Sequence, residues 1–502
     1  MTITSLPYLI LVAVGVGIYY LLPGKWQWVE LLAVSILFYC VMATPYTFVY
    51  LLITAATAYF ATNYAAKGGK RAATAGVLAV VANAVLWFVL KGYALWSPLF
   101  GAAGIAVKAP VAALGMGYYT LQAVGYILDC YWGNSKPLKN PFRVLLFLCF
   151  FPQMITGPIS RFHELEHMYE GHKLSYRNLT YGAQRILWGF FKKLVVAERV
   201  GTLVAAIWGN PEQYNGFYSW IAFLAFPLQL YADFSGCIDI ALGTAELFGI
   251  RLPENFNSPF FSRTTQEFWQ RWHITLGTWT KDYILYPVLK CNAMQKLSKT
   301  LQKKWGKKKG KLAVTAIGMF LVWMFIGLWH GELKYVVGES MWYWILLMLG
   351  EIFSKTCKKW KGKLGIGQDS FSFHLFQSVR TFLIYAIGIV FFRADNLSAA
   401  FSFLGDVGGV LFGRHWNPWI LFDGSIEMLG VSATDMSVIL FSVVLLLVVG
   451  VLREKYGYAR EWVNRQLLPF RWIIWCGLFL LVVLYGKYGA QYDSVNFIYQ
   501  AF

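Results

Sequence analysis

The sequence predicts an all-α protein that crosses a membrane many times. Hydrophobic residues make up 58% of the 502 positions and charged residues only 14%, against roughly 25% in soluble domains. A helix needs about 20 apolar residues to cross a bilayer. Several runs near that length contain no Asp, Glu, Lys or Arg: residues 1–24, 31–66, 72–90, 109–128, 213–232, 312–329 and 436–452. We therefore expect roughly 11 to 13 membrane segments, some of them re-entrant.

Basic residues are concentrated in short loops between apolar runs of the C-terminal half. The net charge of +19 comes from 44 basic and 25 acidic residues. Lys290–Lys311 contains nine lysines and no acid, and Lys355–Lys363 and Arg453–Arg471 are also basic. The positive-inside rule places such short segments on the cytoplasmic side. Because the charge follows membrane topology, nucleic-acid binding is a poor interpretation.

Two spans must separate each neighbouring pair of cytoplasmic segments, and this fixes the side of the intervening turns. The apolar runs supply these spans at about 312–329, 335–354, 375–392, 436–452 and 472–486. The turn around His330, the segment Arg393–Asp435 and the tail from Lys487 onward should then share the non-cytoplasmic side. Residues 393–435 are the largest segment there, and either a docking surface for a partner or an amphipathic lid explains them.

The middle of the chain, residues 150–290, is polar for membrane depth. Irregular backbone is tolerated there only when it is buried in protein or lines a cavity. The seven cysteines form no CxxC pair, and no phosphate-binding or dinucleotide-binding glycine motif is present. The stretch Arg161–His167 has two histidines near acids, but a solvated loop explains it better than a metal site. We therefore expect no bound metal or cofactor.

Ionisable groups among membrane segments are costly and usually functional. His330 follows eighteen uncharged residues and could act as a general base; the alternative is an interfacial helix-end histidine beside Trp329. His273 could equally be a hydrogen-bonded packing histidine. Asp233 follows twenty uncharged residues, and the simpler interpretation of its carboxylate is an ion pair with a buried arginine such as Arg271.

Four segments, in order, resemble motifs of the membrane-bound O-acyltransferase superfamily: Tyr231–Gly236, Leu252–Pro259, Phe268–His273 and Leu328–Gly331. The segment Phe391–Asp395 and the ending Phe497–Phe502 are similar to the alginate O-acetyltransferase branch. The resemblance implies one membrane domain over residues 1–502, with helices around a central funnel or tunnel. Its parts would be N-terminal helices at 1–143, a catalytic core at 144–355, and C-terminal helices with the tail at 356–502.

The resemblance also implies roles for individual residues. His330 would be essential for acyl transfer, His273 a second site residue, and Tyr499 a carrier of the acyl group. For Tyr499 the alternative is an aromatic belt, together with Phe497 and Phe502, that anchors the tail at the lipid headgroups. Further residues would line the tunnel: Asp233, Ser235, Asn255, Trp269, Arg271, Trp272 and Trp329.

The implied activity is transfer of an acyl group from a cytoplasmic thioester, acetyl-CoA or an acyl-carrier donor, to an extracellular or cell-wall polysaccharide. The expected location is the bacterial inner membrane, with an extracytoplasmic acyltransferase as partner. The lysines of Lys290–Lys311 could grip the donor's phosphates, but topology and attraction to anionic membrane lipids explain them more simply. The alternatives are transfer of D-alanyl or another acyl group, and a non-catalytic transporter or scaffold.

Overall fold

The computed structural model describes residues 2–65, 67–111, 113–365, 367 and 369–488, and helices make up almost all of the regular structure in these ranges. The longer helices are Leu6–Leu21, Gly24–Met42, Phe48–Ala65, Lys70–Leu90, Tyr93–Ala102, Met116–Trp132, Pro141–Cys149, Tyr176–Phe190, Glu198–Gly209, Phe217–Leu247, Asn292–Trp329, Trp342–Lys363, Phe371–Arg393, Leu397–Leu411, Ala433–Tyr456 and Leu468–Tyr485. Within the described ranges, β pairing is limited to one bridge between Phe256 and Trp272. The predicted all-α class is confirmed.

Shorter elements connect these helices. Short α-helices lie at Phe151–Met154, Phe162–Leu165, Thr265–Arg271, Ile274–Thr280, Tyr286–Lys290, Leu333–Tyr335 and Ala459–Asn464. In the described part of the chain, three segments are π-helical, with wider turns: Phe191–Ala197, Lys281–Leu285 and Val336–Met341. Such wide turns often occur at functional sites. Two of the three, Phe191–Ala197 and Val336–Met341, contain buried charged residues.

Eight of the described helical segments are long and apolar enough to cross a membrane, and two shorter apolar helices accompany them. The protein is therefore a multi-pass membrane protein, as predicted. Each of the five spans expected in the C-terminal half coincides with one of the last five of these segments, and only the last expected span, 472–486, extends one residue beyond its segment. The expected total of roughly 11 to 13 is higher because it also counted shorter and re-entrant segments.

The lysine-rich segment Lys290–Lys311 is largely helical, whereas the sequence analysis expected a short loop. Gly306, with φ +80°, interrupts the helix Asn292–Trp329 and divides it into two arms. Glycine adopts this backbone region without the steric cost that a Cβ brings. The arms approach closely, since a Cβ on Gly310 would lie 2.5 Å from the backbone nitrogen of Gln302. Residues 303–309 at the bend are exposed.

The described contacts group the chain into two compact units. The first contains the residues up to Arg199, Leu230–Asn255 and the residues from Val438 onward; the second contains Val200–Gln229 and Phe256–Ser437. The single domain implied by the resemblance remains a prediction.

Glycine pairs bring two helices of the first unit into backbone contact. A Cβ on Gly189 would lie 2.7 Å from the carbonyl oxygen of Gly236, and one on Gly182 would lie 2.7 Å from that of Gly243. Within each helix the two glycines are seven residues apart, so both lie on the same face of that helix. Small residues let helices approach closely where lipid provides no hydrophobic driving force. This contact sets Lys192 and Lys193 against the segment that contains Asp233.

Candidate functional site

His330 lies at the C-terminal end of the helix Asn292–Trp329, where the chain turns sharply. Its backbone N–H still donates to the Ile326 carbonyl, at 3.2 Å. The next residue, Gly331, has φ +91° and reverses the chain direction. The His330 side chain is only 1% exposed. A titratable ring is thus held away from water at the end of a candidate span.

The π-helical turn Val336–Met341 returns the chain against the same helix and carries a carboxylate to the histidine. Oε2 of Glu339 lies 3.1 Å from Nε2 of His330, and the Glu339 side chain is 11% exposed. The Ser340 hydroxyl donates to the Trp323 carbonyl at 2.5 Å and fixes the turn to the helix. Gly327 makes this approach feasible, because a Cβ there would overlap the Ser340 hydroxyl oxygen.

Aromatic rings surround the histidine on several sides. The ring centroid of His330 lies 4.9 Å from Trp329, 5.6 Å from Tyr335 and 5.5 Å from Phe392. Tyr335 and Phe392 also contact each other, at 5.0 Å. Such a wall lowers the local dielectric, so the attraction between the carboxylate and a protonated imidazole is stronger than it would be in water. The arrangement suits proton transfer in a dry site.

His273 lies in the same unit, between the helices Thr265–Arg271 and Ile274–Thr280. Its backbone is left-handed, with φ +46° and ψ +52°. A non-glycine residue in that region costs about 1–3 kcal/mol, and such strain is concentrated at functional sites. His273 comes directly after the β bridge between Phe256 and Trp272. Beside this bridge the Asn257 N–H donates to the Arg271 carbonyl at 2.9 Å.

The imidazole of His273 is directed toward the His330 region. Its ring lies 6.4 Å from that of Trp329, and the residue is 4% exposed. His273 lies outside the eight candidate spans. Burial, followed by the nearby charge of His330, lowers the pKa of His273 to about 3. His273 is therefore neutral at physiological pH and available for hydrogen bonding rather than as a cation.

Trp269, Arg271 and Trp272 were also predicted as site residues. The two tryptophans pack against aromatic rings, and the arginine forms an ion pair. Trp272 stacks on Phe268, with centroids 5.7 Å apart. Trp269 packs edge-on against Trp323 at 5.0 Å. Arg271 forms an ion pair with Glu267, one turn earlier on its own helix, at 2.8 Å. The structure thus brings Trp329 and His273 toward His330, while Arg271 pairs locally.

Asp233 belongs to the first unit and pairs with a lysine that the sequence analysis did not consider. Oδ1 of Asp233 lies 2.7 Å from Nζ of Lys193, and that amine also lies 2.8 Å from Glu198. The π-helical turn Phe191–Ala197 directs Lys193 to the aspartate.

Ser235 and Asn255 also lie in the first unit. The Ser235 hydroxyl accepts a hydrogen bond from Lys192 at 2.8 Å, and that lysine pairs with Asp239 at 2.6 Å. Asn255 is completely buried. A tunnel-lining role for Asp233, Ser235 and Asn255 remains a prediction. Arg185 completes the charge network, with Asp239 at 2.9 Å and Glu254 at 2.6 Å.

The sequence analysis missed Glu339, Lys192 and Lys193. Each could have been noticed in the sequence. Glu339 is the one charged residue between positions 335 and 350. Lys192 and Lys193 are two charges inside the apolar run Phe190-Phe191-Lys192-Lys193-Leu194. Tyr499 lies outside the described residues. Among the described residues, no three His, Cys, Asp or Glu side chains cluster as a metal site requires. In the Arg161–His167 stretch, His167 accepts the Arg251 backbone N–H at 3.1 Å.

Comparison with known proteins gives a family match and several curated relatives. A model described as "MBOAT, membrane-bound O-acyltransferase family" matches residues 138–385, which include His273, His330 and Glu339. "Probable alginate O-acetylase AlgI" of Pseudomonas syringae pv. tomato is 31% identical over 300 residues, 60% of this chain and 51% of the relative. The protein of the same name from Pseudomonas aeruginosa is 27% identical over 399 residues, 77% of this chain and 71% of the relative.

The "Teichoic acid D-alanyltransferase" of Bacillus subtilis is also similar, with 31% identity over 258 residues, 50% of this chain and 62% of the relative. The chain therefore spans between about half and seven tenths of the length of these relatives. The family match over residues 138–385 contains His273, His330 and Glu339, whereas Phe392 of the aromatic wall lies beyond it.

Proposed function

We propose that this chain is an O-acyltransferase of the membrane-bound O-acyltransferase family and that His330 is its general base. The observation that carries the proposal is the geometry at His330. A buried imidazole stands 3.1 Å from the carboxylate of Glu339, inside aromatic walls and at the end of a membrane span. An imidazole changes protonation near neutral pH and so can both take and return a proton.

In the reaction we propose, His330 both takes up and returns the proton that moves. His330 removes the proton of an acceptor hydroxyl while the oxygen attacks the carbonyl carbon of an acyl thioester. The new C–O bond forms, the C–S bond breaks, and the imidazolium returns the proton to the departing sulfur. An ester and a free thiol result, and the histidine is regenerated. Transfer from a thioester needs positioning above all, which a rigid site supplies.

Two indole N–H groups support a binding path for the thioester arm. Nε1 of Trp269 and Nε1 of Trp323 are buried and have no hydrogen-bond partner among the described residues. Trp323 precedes His330 by seven residues, about 10 Å along a helix at about 1.5 Å per residue. At that separation these donors are better placed for the amide carbonyls of a donor such as acetyl-CoA than for the reacting carbon. A buried donor without a partner is costly, and a substrate oxygen would remove that cost.

The donor and acceptor sides follow from the distribution of basic residues. The lysine-rich segment Lys290–Lys311 begins the span on the cytoplasmic side, so His330 lies at its non-cytoplasmic end. We propose that the thioester enters from the cytoplasm and that the acyl group leaves on the opposite side, across a bacterial inner membrane. The first two relatives reported above are named alginate O-acetylases, which favours an acetyl group and a polysaccharide acceptor.

We further propose an extracytoplasmic acyltransferase partner that completes delivery to the polymer. The segment Arg393–Asp435 is the site we assign for its docking. The segment exposes large apolar side chains, among them Phe412 at 89%, Phe422 at 80% and Trp419 at 71%. An apolar lid against lipid headgroups explains the same exposure, and loss of partner capture after Trp419→Ser and Phe422→Ser would favour docking.

The proposed activity is tested on the envelope polymers of a strain that lacks the gene. Mild alkali releases ester-linked groups, and chromatography separates acetate from D-alanine. Restored acetate after complementation with the wild-type gene supports the acetyl assignment. Restored D-alanine instead supports the activity named for the Bacillus subtilis relative. If complementation restores neither ester, the chain is better treated as a transporter or scaffold.

Replacement of Tyr499 by phenylalanine tests whether the acyl group passes through this residue. A phenol has a pKa of about 10 and needs a neighbouring base to act as a nucleophile at neutral pH. If Tyr499 is that nucleophile, Tyr499→Phe abolishes polymer acylation while membrane levels stay normal. Tyr488→Phe is the matched control on the same side of the last span. Retained acylation in Tyr499→Phe would reduce the tail to an aromatic anchor.

A further inference from the structure

The carboxylate beside His330 has no role in the reaction as described so far. Glu339 stands 3.1 Å from Nε2 of His330. The nearest other acid along the chain, Glu332, is more exposed, at 43%, and pairs with Lys334 at 3.2 Å. Lys334 also donates to the Ala394 carbonyl at 2.9 Å. The neighbouring charges thus pair with each other, and the histidine is the partner of Glu339.

The position of Glu339 is rigidly held. The turn Val336–Met341 is closed on one side by the Ser340 hydrogen bond to Trp323. On the other side Gly338 lies against Phe391 so closely that a Cβ would overlap the ring. A carboxylate buried in such a place is costly unless a donor or a positive charge compensates it. The histidine supplies that compensation, most strongly when it is protonated.

We propose, on the basis of the function assigned above, that Glu339 is a positioning residue that makes His330 one half of a carboxylate–histidine dyad. At 3.1 Å the negative charge of the carboxylate attracts a proton on Nε2 and so favours this ring nitrogen as the one that carries hydrogen. Nδ1 then has the lone pair and takes the proton of the acceptor hydroxyl. During the reaction the carboxylate stays ionised and stabilises the imidazolium until the proton moves to the departing sulfur. Glu339 itself exchanges no atom.

The dyad predicts an effect on turnover rather than on donor binding. Glu339→Gln keeps the size of the side chain and removes its charge. We expect kcat to fall at least about tenfold, because loss of the carboxylate in such a pair leaves the histidine in the wrong tautomer, with the KM for the donor unchanged. The assay uses purified protein in lipid nanodiscs, labelled acetyl-CoA as donor and host envelope polysaccharide as acceptor. Glu332→Gln is the matched control and keeps the wild-type kcat.

A second readout does not depend on turnover. Nitrogen-15 NMR of labelled histidine distinguishes a ring protonated at Nε2 from one protonated at Nδ1, and His330→Ala identifies the signal by its loss. The wild-type protein should show His330 protonated at Nε2, and Glu339→Ala should shift the population toward Nδ1. The melting temperature of Glu339→Gln should match that of the wild type, which separates positioning from folding.

The outcomes separate this inference from the proposed function. If His330→Ala loses transfer while Glu339→Gln retains the wild-type kcat, the dyad is wrong and the general base stands. If neither substitution changes transfer, the function assigned to His330 is wrong. A tautomer that is the same in the wild type and Glu339→Ala overturns the dyad even if the acceptor supplied to the assay is the wrong polymer.

Discussion

Substitution of His330 by alanine is expected to abolish acylation of the envelope polymer while the protein still reaches the membrane at wild-type levels. A positioned general base contributes about 10²- to 10⁴-fold to rate, so residual ester content should fall at least about a hundredfold relative to the complemented wild type. The ring is small and lies at a helix end, and the truncation leaves the preceding helix hydrogen bonds in place. The measurement is alkali-released acetate per unit of membrane-inserted protein.

The control for this experiment is another histidine of the same chain. His163 is exposed and lies in a short helix of the first unit, so His163→Ala should leave acylation unchanged. Equal acylation by His330→Ala and the wild type would contradict the general-base role. The chain would then be interpreted as a conduit or scaffold for an enzyme outside the membrane.

The second large effect is expected in the buried charge network of the first unit. Lys193 lies between two carboxylates, 2.7 Å from Asp233 and 2.8 Å from Glu198, and its side chain is 8% exposed. Breaking a buried ion pair on one side costs about 3–5 kcal/mol, because the remaining charge has no partner. Lys193→Met removes the amine that both carboxylates contact and should greatly reduce the amount of folded protein. Asp233→Asn leaves the lysine with Glu198 and should be milder.

The double substitution distinguishes a pairing role from a catalytic one. Lys193→Met with Asp233→Asn also neutralises one of the two carboxylates that contacted the lysine, so its melting temperature in detergent should lie above that of Lys193→Met alone. Lys173→Met, at an exposed lysine of the same unit, controls for loss of positive charge. A stable Asp233→Asn protein that has lost acyl transfer would overturn this result and support the tunnel-lining role implied by the motif.

Predictions from sequence succeeded where the property is local along the chain. Apolar runs are recognisable without knowing which helix touches which, so the five C-terminal spans and the all-α class could be read directly. His330 stood out because one titratable side chain follows eighteen uncharged residues. The lysine-rich segment was expected as a loop. It is largely helical, because the chain breaks at a single glycine, Gly306, and continues as helix on both sides.

The sequence could not predict in the same way which charged side chains pair with each other. Asp233 was expected to pair with an arginine, and its contact with Lys193 was not predicted. Glu339 approaches His330 through a π-helical turn, and each such turn displaces the register from the regular 3.6-residue spacing. A periodicity argument therefore cannot place a residue nine positions away on the correct face.

The sequence alone determined the membrane character and the candidate base, and it predicts the side on which each basic segment lies, because hydrophobicity and charge are summed over neighbouring residues. The tertiary structure decided three further points: the partner of each buried charge, the left-handed backbone of His273 and the approach of Glu339 to His330. These depend on which helices are adjacent and on glycine contacts of a few ångströms. A buried charge must find its partner in space, and its neighbours in sequence do not specify that partner.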